Sequence, residues 1–201
     1  MNLDAIRHIC KQSIFDLTYV FSKYNETSLT PINTKVFYKA PLECLPQEKS
    51  SGSVNIVDSQ YFNQIFDLAL IAGHFSRFKL DTRFPNQVFE GLYKRWVENS
   101  FQAYHTVLSI GDKETLKGMV SLKLKESAGI SNIELIGVHN AFQGQQIGKK
   151  LLALCAQHIK AHSALGHLSV QTQLENKGAC RFYERYGFQK QHQVNIFHFW
   201  K

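Results

Sequence analysis

No apolar stretch approaches the roughly 20 residues that a membrane-spanning helix needs, so membrane insertion is not expected. The N-terminal residues also lack a basic-then-apolar leader pattern, because Asp4, Arg7 and Lys11 interrupt it. Cysteine is sparse and scattered: Cys10, Cys44, Cys155 and Cys180 include no CxxC pair. That spacing argues against a disulfide framework or a zinc finger and for a reducing, cytoplasmic setting. Cys155, His158 and His162 fall at i, i+3 and i+7 of an expected helix, where three ligands could hold a metal. The His-Glu-x-x-His pattern is missing and Cys155 also fits the apolar stripe, so no metal is expected. Repeats, low-complexity tracts, RGG tracts and recognition-helix patterns are absent as well, which argues against nucleic acid. Acidic residues are scarce in the last third of the chain. Residues 139–201 carry eight Lys and Arg against two Asp and Glu, whereas residues 1–58 balance at six and six. A positive field so localised favours an anionic partner, either nucleic acid or a phosphorylated small molecule.

The chain has 201 residues, 44% of them hydrophobic and 12% aromatic, enough to bury one sizeable core. A single domain, or one domain with a small appendage, follows. Ile6, Ile9, Ile14, Leu17 and Val20 suit an amphipathic helix over 4–24, and the alternation of 34–39 suits a strand. The polar, breaker-rich run 46–53 is the best linker. Residues 1–58 thus read as a small N-terminal extension or subdomain, a candidate cover for the acceptor site or homodimer contact, and 59–201 as the main domain. From Asp58, a capping residue, Phe62, Ile65, Phe66, Leu68 and Ile71 recur at helical spacing. Phe84-Pro85 opens a second helix, with Val88, Phe89, Leu92, Tyr93, Trp96 and Val97 on its apolar face. Strands are expected at 104–110, 116–124 and 131–138. A helix over 147–162, a strand at 167–172, a helix over 177–186 and a strand at 194–200 complete the order.

Between the third of these strands and its helix lies Val138-His-Asn-Ala-Phe-Gln143-Gly144-Gln145-Gln146-Ile147-Gly148-Lys149-Lys150. Free N–H groups at a helix start, glycines that let a ligand approach the backbone, and two lysines together suit a diphosphate. Downstream comes Asn176-Lys-Gly-Ala179-Cys-Arg-Phe-Tyr183-Glu-Arg-Tyr-Gly187-Phe188. The two halves together resemble the GNAT superfamily of N-acetyltransferases. Its first motif, (Gln/Arg)-x-x-Gly-x-(Gly/Ala) after a strand ending in Val, is matched by Val138, Gln143 and Gly148. Its second motif is matched by Asn176, Ala179, Tyr183, Gly187 and Phe188. One position departs: Gln146 stands where the motif has its first glycine.

The resemblance implies an α/β fold whose mixed, mostly antiparallel central sheet is flanked by helices, with a V-shaped split between two central parallel strands. It implies acetyl-CoA as co-substrate, with the pantetheine along Ile136, Gly137 and Val138. The diphosphate would lie on the N–H groups of Gln143, Gly144, Gln145, Gln146, Ile147, Gly148 and Lys149. The amine would attack the thioester directly. Tyr183 would protonate the departing thiolate, unless it is only a packing aromatic. Asn176 would bond to pantetheine or cap the next helix. A strand bulge near Val138 would present an N–H to the thioester carbonyl. Glu134 would accept the amine proton or simply pair with Lys123 or Lys125.

A shorter run, Ala72-Gly-His-Phe-Ser76-Arg77-Phe78-Lys-Leu-Asp81 with Leu92-Tyr93-Lys-Arg-Trp96, is similar to the dTDP-fucosamine acetyltransferases. That implies a nucleotide-linked amino sugar as the acceptor. Arg77 would bind its diphosphate, unless it pairs with Asp81 or Glu98. Phe78, Phe84, Tyr93 and Trp96 would line the base or sugar pocket, unless they are core. Peptide N-terminal or lysine acetylation, and acyl-CoA binding without turnover, are the alternative functions.

Overall fold

The structure, a computed structural model, describes residues 3–23, 29–47, 55–124, 129–162 and 166–201. Its elements run α1 (Leu3–Gln12), β1 (Leu17–Ser22), β2 (Asn33–Pro41), β3 (Asn55–Ile56), α2 (Phe62–Ala72), α3 (Arg77–Leu80) and α4 (Asn86–Asn99). They continue β4 (His105–Gly111), β5 (Leu116–Lys123), β6 (Ile130–Val138), α5 (Ile147–His162), β7 (His167–Gln173), α6 (Lys177–Arg185) and β8 (Gln189–Trp200). From α2 onward the order follows the periodicity of the sequence, with the short α3 added. Asp58 caps as expected, accepting from Gln60 N–H at 2.9 Å at the turn that leads into α2.

The N-terminal reading needs correction. The helix expected over 4–24 stops at Gln12, and Leu17–Ser22 is an edge strand paired antiparallel with β8, Leu17 opposite Trp200 and Ser22 opposite Asn195. The β-branched and aromatic run Thr18-Tyr19-Val20-Phe21 suits a strand, and the partner that makes it one lies some 180 residues away in sequence. Most of the expected linker lies outside the described residues. Part of the segment set apart as 1–58 is integral to the sheet: β2 runs between β7 and β8.

Eight strands form one sheet in the order β1-β8-β2-β7-β6-β5-β4-β3. All described pairings are antiparallel except β6 with β7, which α5 joins as a crossover. Leu151, Leu152, Cys155 and Ile159 of α5 bury against Val36, Tyr38, Val120, Ile133, Leu168 and Val170 on one face. Ile65, Leu68 and Ala69 of α2 and Phe89, Tyr93 and Val97 of α4 bury against Val107, Met119 and Leu135 on the other. Each large side chain so buried contributes about 1.5–3 kcal/mol.

The second face holds α2 very close to β6. A Cβ on Gly137 would lie 2.4 Å from the Leu68 carbonyl oxygen, and backbone cannot swing aside as a side chain can. Gly137→Ala is therefore expected to cost about 1–3 kcal/mol through overpacking, read as a lower urea midpoint at unchanged slope. A midpoint equal to the wild type would mean that α2 is not held this tightly.

Candidate active site

The parallel pairing of β6 and β7 is short. It runs from Ile130–His167 to Ile133–Val170 and stops, while both strands continue, β6 to Val138 and β7 to Gln173. The sheet thus opens into a V at its middle. The irregularity expected near Val138 lies earlier: Ser121 is opposite Leu135 and Leu122 opposite Ile133, so Glu134 is the extra residue of a bulge. The bulge coincides with the end of the pairing to β7.

His139 N–H donates to Lys117 O in β5 at 2.9 Å. Backbone groups alternate in direction along a strand, so those of Gly137 also face β5, and those of Ile136 and Val138 face the open V. This is a free strand edge inside the sheet. The Gln143 amide donates to Val138 O at 3.3 Å and to Asn140 Oδ1 at 3.0 Å, tying the following loop to that edge.

The loop then delivers the N-terminus of α5. The first-turn N–H groups have no intrahelical acceptor and carry the positive end of the helix dipole. Gly144 and Gln146 both adopt left-handed backbone, with φ of 78° and 60°. The second is strained for a residue with a Cβ. The residue that departs from the motif therefore keeps a backbone conformation that glycine adopts freely. Gly148 faces the Phe182 ring, which a Cβ there would approach to 2.9 Å.

Tyr183 is buried in α6, its ring centroid 5.9 Å from Tyr38 and 5.4 Å from both Phe182 and Phe188. Burial pushes its hydroxyl above the ordinary tyrosine value, and nearby Cys155 and Cys180 add to the rise. It is a proton donor throughout the neutral range. Asn176 caps α6, accepting from Ala179 N–H at 3.0 Å.

A single cleft of about 1580 Å³ joins these groups to the far side of the V. Ile136, Gly137, Val138, Gln143, Gly144, Gln146, Ile147, Gly148, Lys149, Asn176 and Tyr183 all line it. Gln145 does not; its amide donates to Ala141 O at 3.2 Å. On the far side Arg77, Phe78, Tyr93 and Trp96 line it, and so does Glu134. Phe84 does not: its ring packs 4.9 Å from Trp200, 5.3 Å from Phe78 and 5.6 Å from His198, behind the wall. Tyr93 is mostly core, and burial raises its hydroxyl despite a hydrogen bond with Ser76.

Among the described residues Glu134 pairs with His105 and not with Lys123. Its Oε2 lies 3.1 Å from His105 Nε2, and Lys125 is outside the described residues. His105 Nδ1 is 3.1 Å from Ala103 O. Both partners of the ring, the carboxylate and the carbonyl, are hydrogen-bond acceptors. Arg77 takes neither expected partner: Asp81 binds Arg83 at 2.8 Å, and Glu98 lies 3.6 Å from Arg95. Cys155 is fully buried in the core, where burial pushes its thiol well up. Sequence reasoning missed Asn33, Lys35, His105, Gln171 and Gln173 as cleft residues. No local signal marks them, because they reach the cleft from β2, β4 and β7 through sheet pairing.

The sequence profile described as the acetyltransferase (GNAT) family matches residues 65–188. No curated protein matches the sequence. Among solved structures, a functionally unknown conserved protein from Staphylococcus epidermidis superposes at a TM-score of 0.64 with 13% identity, covering 98% of this chain and 67% of its own. A GNAT-family acetyltransferase from Colwellia psychrerythraea gives 0.62 with 15% identity, covering 90% and 64%. The N-myristoyltransferase of Saccharomyces cerevisiae with bound myristoyl-CoA gives 0.55 with 12% identity, covering 91% and 51%. The chain thus spans about two thirds of the first two and half of the third. At such identities the likeness is one of fold.

Proposed function

The chain belongs to the GNAT family of acetyltransferases, and on that premise we propose that it transfers the acetyl group of acetyl-CoA to the amine of a small acceptor within one ternary complex. The observation that carries this reading is the open V between β6 and β7, whose cleft is lined by both the α5 N-terminus and Tyr183. The free edge at Ile136 and Val138 suits the pantetheine as an added strand. The α5 N-terminus with Lys149 and Lys150 suits the diphosphate. The yeast neighbour, which holds an acyl-CoA in a related fold, is consistent with this placement.

The chain's residues then divide the chemistry. The amine nitrogen attacks the acetyl carbonyl carbon, and a C–N bond forms as the C–S bond breaks. An N–H on the free β6 edge polarises the carbonyl. The Tyr183 hydroxyl gives its proton to the departing thiolate. The proton lost by the amine passes to the Glu134–His105 pair, directly or through one water. The products are an N-acetyl group and free CoA thiol.

The acceptor we favour is a nucleotide-linked amino sugar of the dTDP-4-amino-4,6-dideoxyhexose type. Its support is the cationic far half of the cleft, where Arg77 and Lys35 stand with Trp96 and Phe78, which offer rings for stacking. The purified protein with acetyl-CoA should release thiol faster with such sugars than with peptides bearing free N-termini. A preference for peptides would move the assignment to protein acetylation. Binding of acetyl-CoA with no thiol release on any amine would leave an acyl-CoA binding module.

A further inference from the structure

The acceptor half of the cleft contains two cations that no carboxylate of the described residues neutralises. Arg77, at the start of α3, has its guanidinium carbon 4.6 Å above the Tyr19 ring, 4.6 Å from Phe78 and 5.6 Å from Phe21. Its Nε is buried and has no hydrogen-bond acceptor. Lys35 enters the same cleft from β2, opposite Gln173 of β7. No carboxylate among the described residues forms an ion pair with either. The acids nearby in sequence or pairing are already used. Asp81 accepts from Arg83, His198 and Trp200, and Glu175 accepts from Thr34 N–H and the Asn33 amide, both at 3.2 Å.

The two cations also act on each other: burial lowers the Lys35 ammonium, and the charge of Arg77 lowers it further. A guanidinium stays charged at any physiological pH. Holding it among three aromatic rings, next to a second cation and with a buried N–H unsatisfied, is costly without an anion. An arginine whose guanidinium lies among rings can still offer N–H groups of its fork to anionic oxygens, the bidentate donor set that suits phosphate or carboxylate.

We propose that Arg77 and Lys35 form an anion subsite that grips the acceptor through its phosphate or carboxylate oxygens and so places its amine toward Glu134. This deepens the acetyl-transfer reading and names the feature of the acceptor that the cleft selects. The subsite unites segments of the chain that are separate in sequence: the edge strand β1 supplies Tyr19 and Phe21, the inserted strand β2 supplies Lys35, and α3 supplies Arg77.

The test is calorimetric titration of dTDP, and separately of succinate, into the wild-type protein saturated with CoA, so that the α5 N-terminus is already occupied. Lys35→Met keeps the aliphatic stem and removes the charge; Arg77→Met does the same on α3, with thermal melting as the check that it folds. Each variant is expected to weaken the bound anion about tenfold or more, with affinity in the wild type falling as salt rises, while the affinity for CoA is unchanged. Binding of dTDP identifies phosphate as the group held, and binding of succinate alone identifies carboxylate. Equal affinity in wild type and Lys35→Met, or no binding of either anion, would overturn the subsite. Failure of CoA to bind the wild type would count against the acetyl-transfer reading instead, and dTDP titrated into the free protein would still read the subsite.

Discussion

Tyr183→Phe is expected to lower kcat by about 10²–10⁴, the usual effect of removing a positioned general acid. The substitution preserves the ring and hence its contacts with Tyr38, Phe182 and Phe188. It deletes only the hydroxyl, which burial keeps protonated well into the alkaline range. Because the proton moves only as the C–S bond breaks, the loss should fall on kcat and leave the KM for acetyl-CoA nearly unchanged. The high position of the hydroxyl adds a second expectation: no alkaline fall in kcat near neutrality traces to Tyr183. Tyr186→Phe serves as the control. That residue packs against Phe182 in the same cleft, 5.1 Å between centroids. Steady-state thiol release decides the matter: near-wild-type kcat in Tyr183→Phe, or equal losses in both variants, would transfer the acid role to solvent or another group.

Removing the Asp81 carboxylate is expected to be the most costly single change to stability. Asp81 is buried between α3 and α4 and accepts five hydrogen bonds. They come from Arg83 Nε at 2.8 Å, Nη2 at 2.9 Å and N–H at 3.2 Å, His198 Nδ1 at 2.7 Å and Trp200 Nε1 at 2.9 Å. Burial pushes its carboxyl up, but the bonds from Arg83, His198 and Trp200 outweigh that and hold it well below the usual carboxylate range. Asp81→Ala leaves the His198 and Trp200 donors buried without an acceptor, and breaking such a cluster costs about 3–5 kcal/mol. Urea unfolding measures it, and a loss under about 1 kcal/mol would show that the cluster does not hold β8 to α3.

The same cluster gives a pH dependence with a definite sign. Burial lowers His198, Asp81 raises it, and Arg77 and Arg83 lower it again, with a net lowering. Its neutral form therefore contributes stability above the unfolded value of about 6.5 that is lost as pH falls below it. The depressed Asp81 contributes above its unfolded value of about 3.9, and that part is lost as pH falls further. Wild-type stability should thus drop in two stages on acidification, and Asp81→Ala should lack the lower one. A single stage in both proteins would rule out the carboxylate as its source.

The part of the site that was legible in the sequence is the part built from one contiguous stretch. Residues 133–188 hold β6, its loop, the α5 N-terminus, β7 and α6 in chain order. Hydrophobic period, a glycine-bearing loop and an N-cap asparagine are local signals, and each found its place. Of the two roles open to Asn176, the structure shows the cap, its Oδ1 accepting from Ala179 N–H. The position of the bulge was not legible, because it depends on register with β5, and register is a relation between two strands.

By itself, then, the sequence determined the helices and strands from Asp58 onward apart from the short α3, the strand-loop-helix run that lines one half of the cleft, and the family. Those follow from interactions between residues a few positions apart, which spacing records. Only the tertiary structure decided that Leu17–Ser22 leaves an apparent helical pattern to pair with β8, and that β2 enters between β7 and β8. It likewise decided that Phe84 stands behind the wall while Lys35, Arg77, His105 and Glu134 meet in one cleft. These are choices of partner across more than a hundred residues for the N-terminal strands. Backbone pairing and burial reward them only once the whole sheet is assembled, so no local pattern can record them.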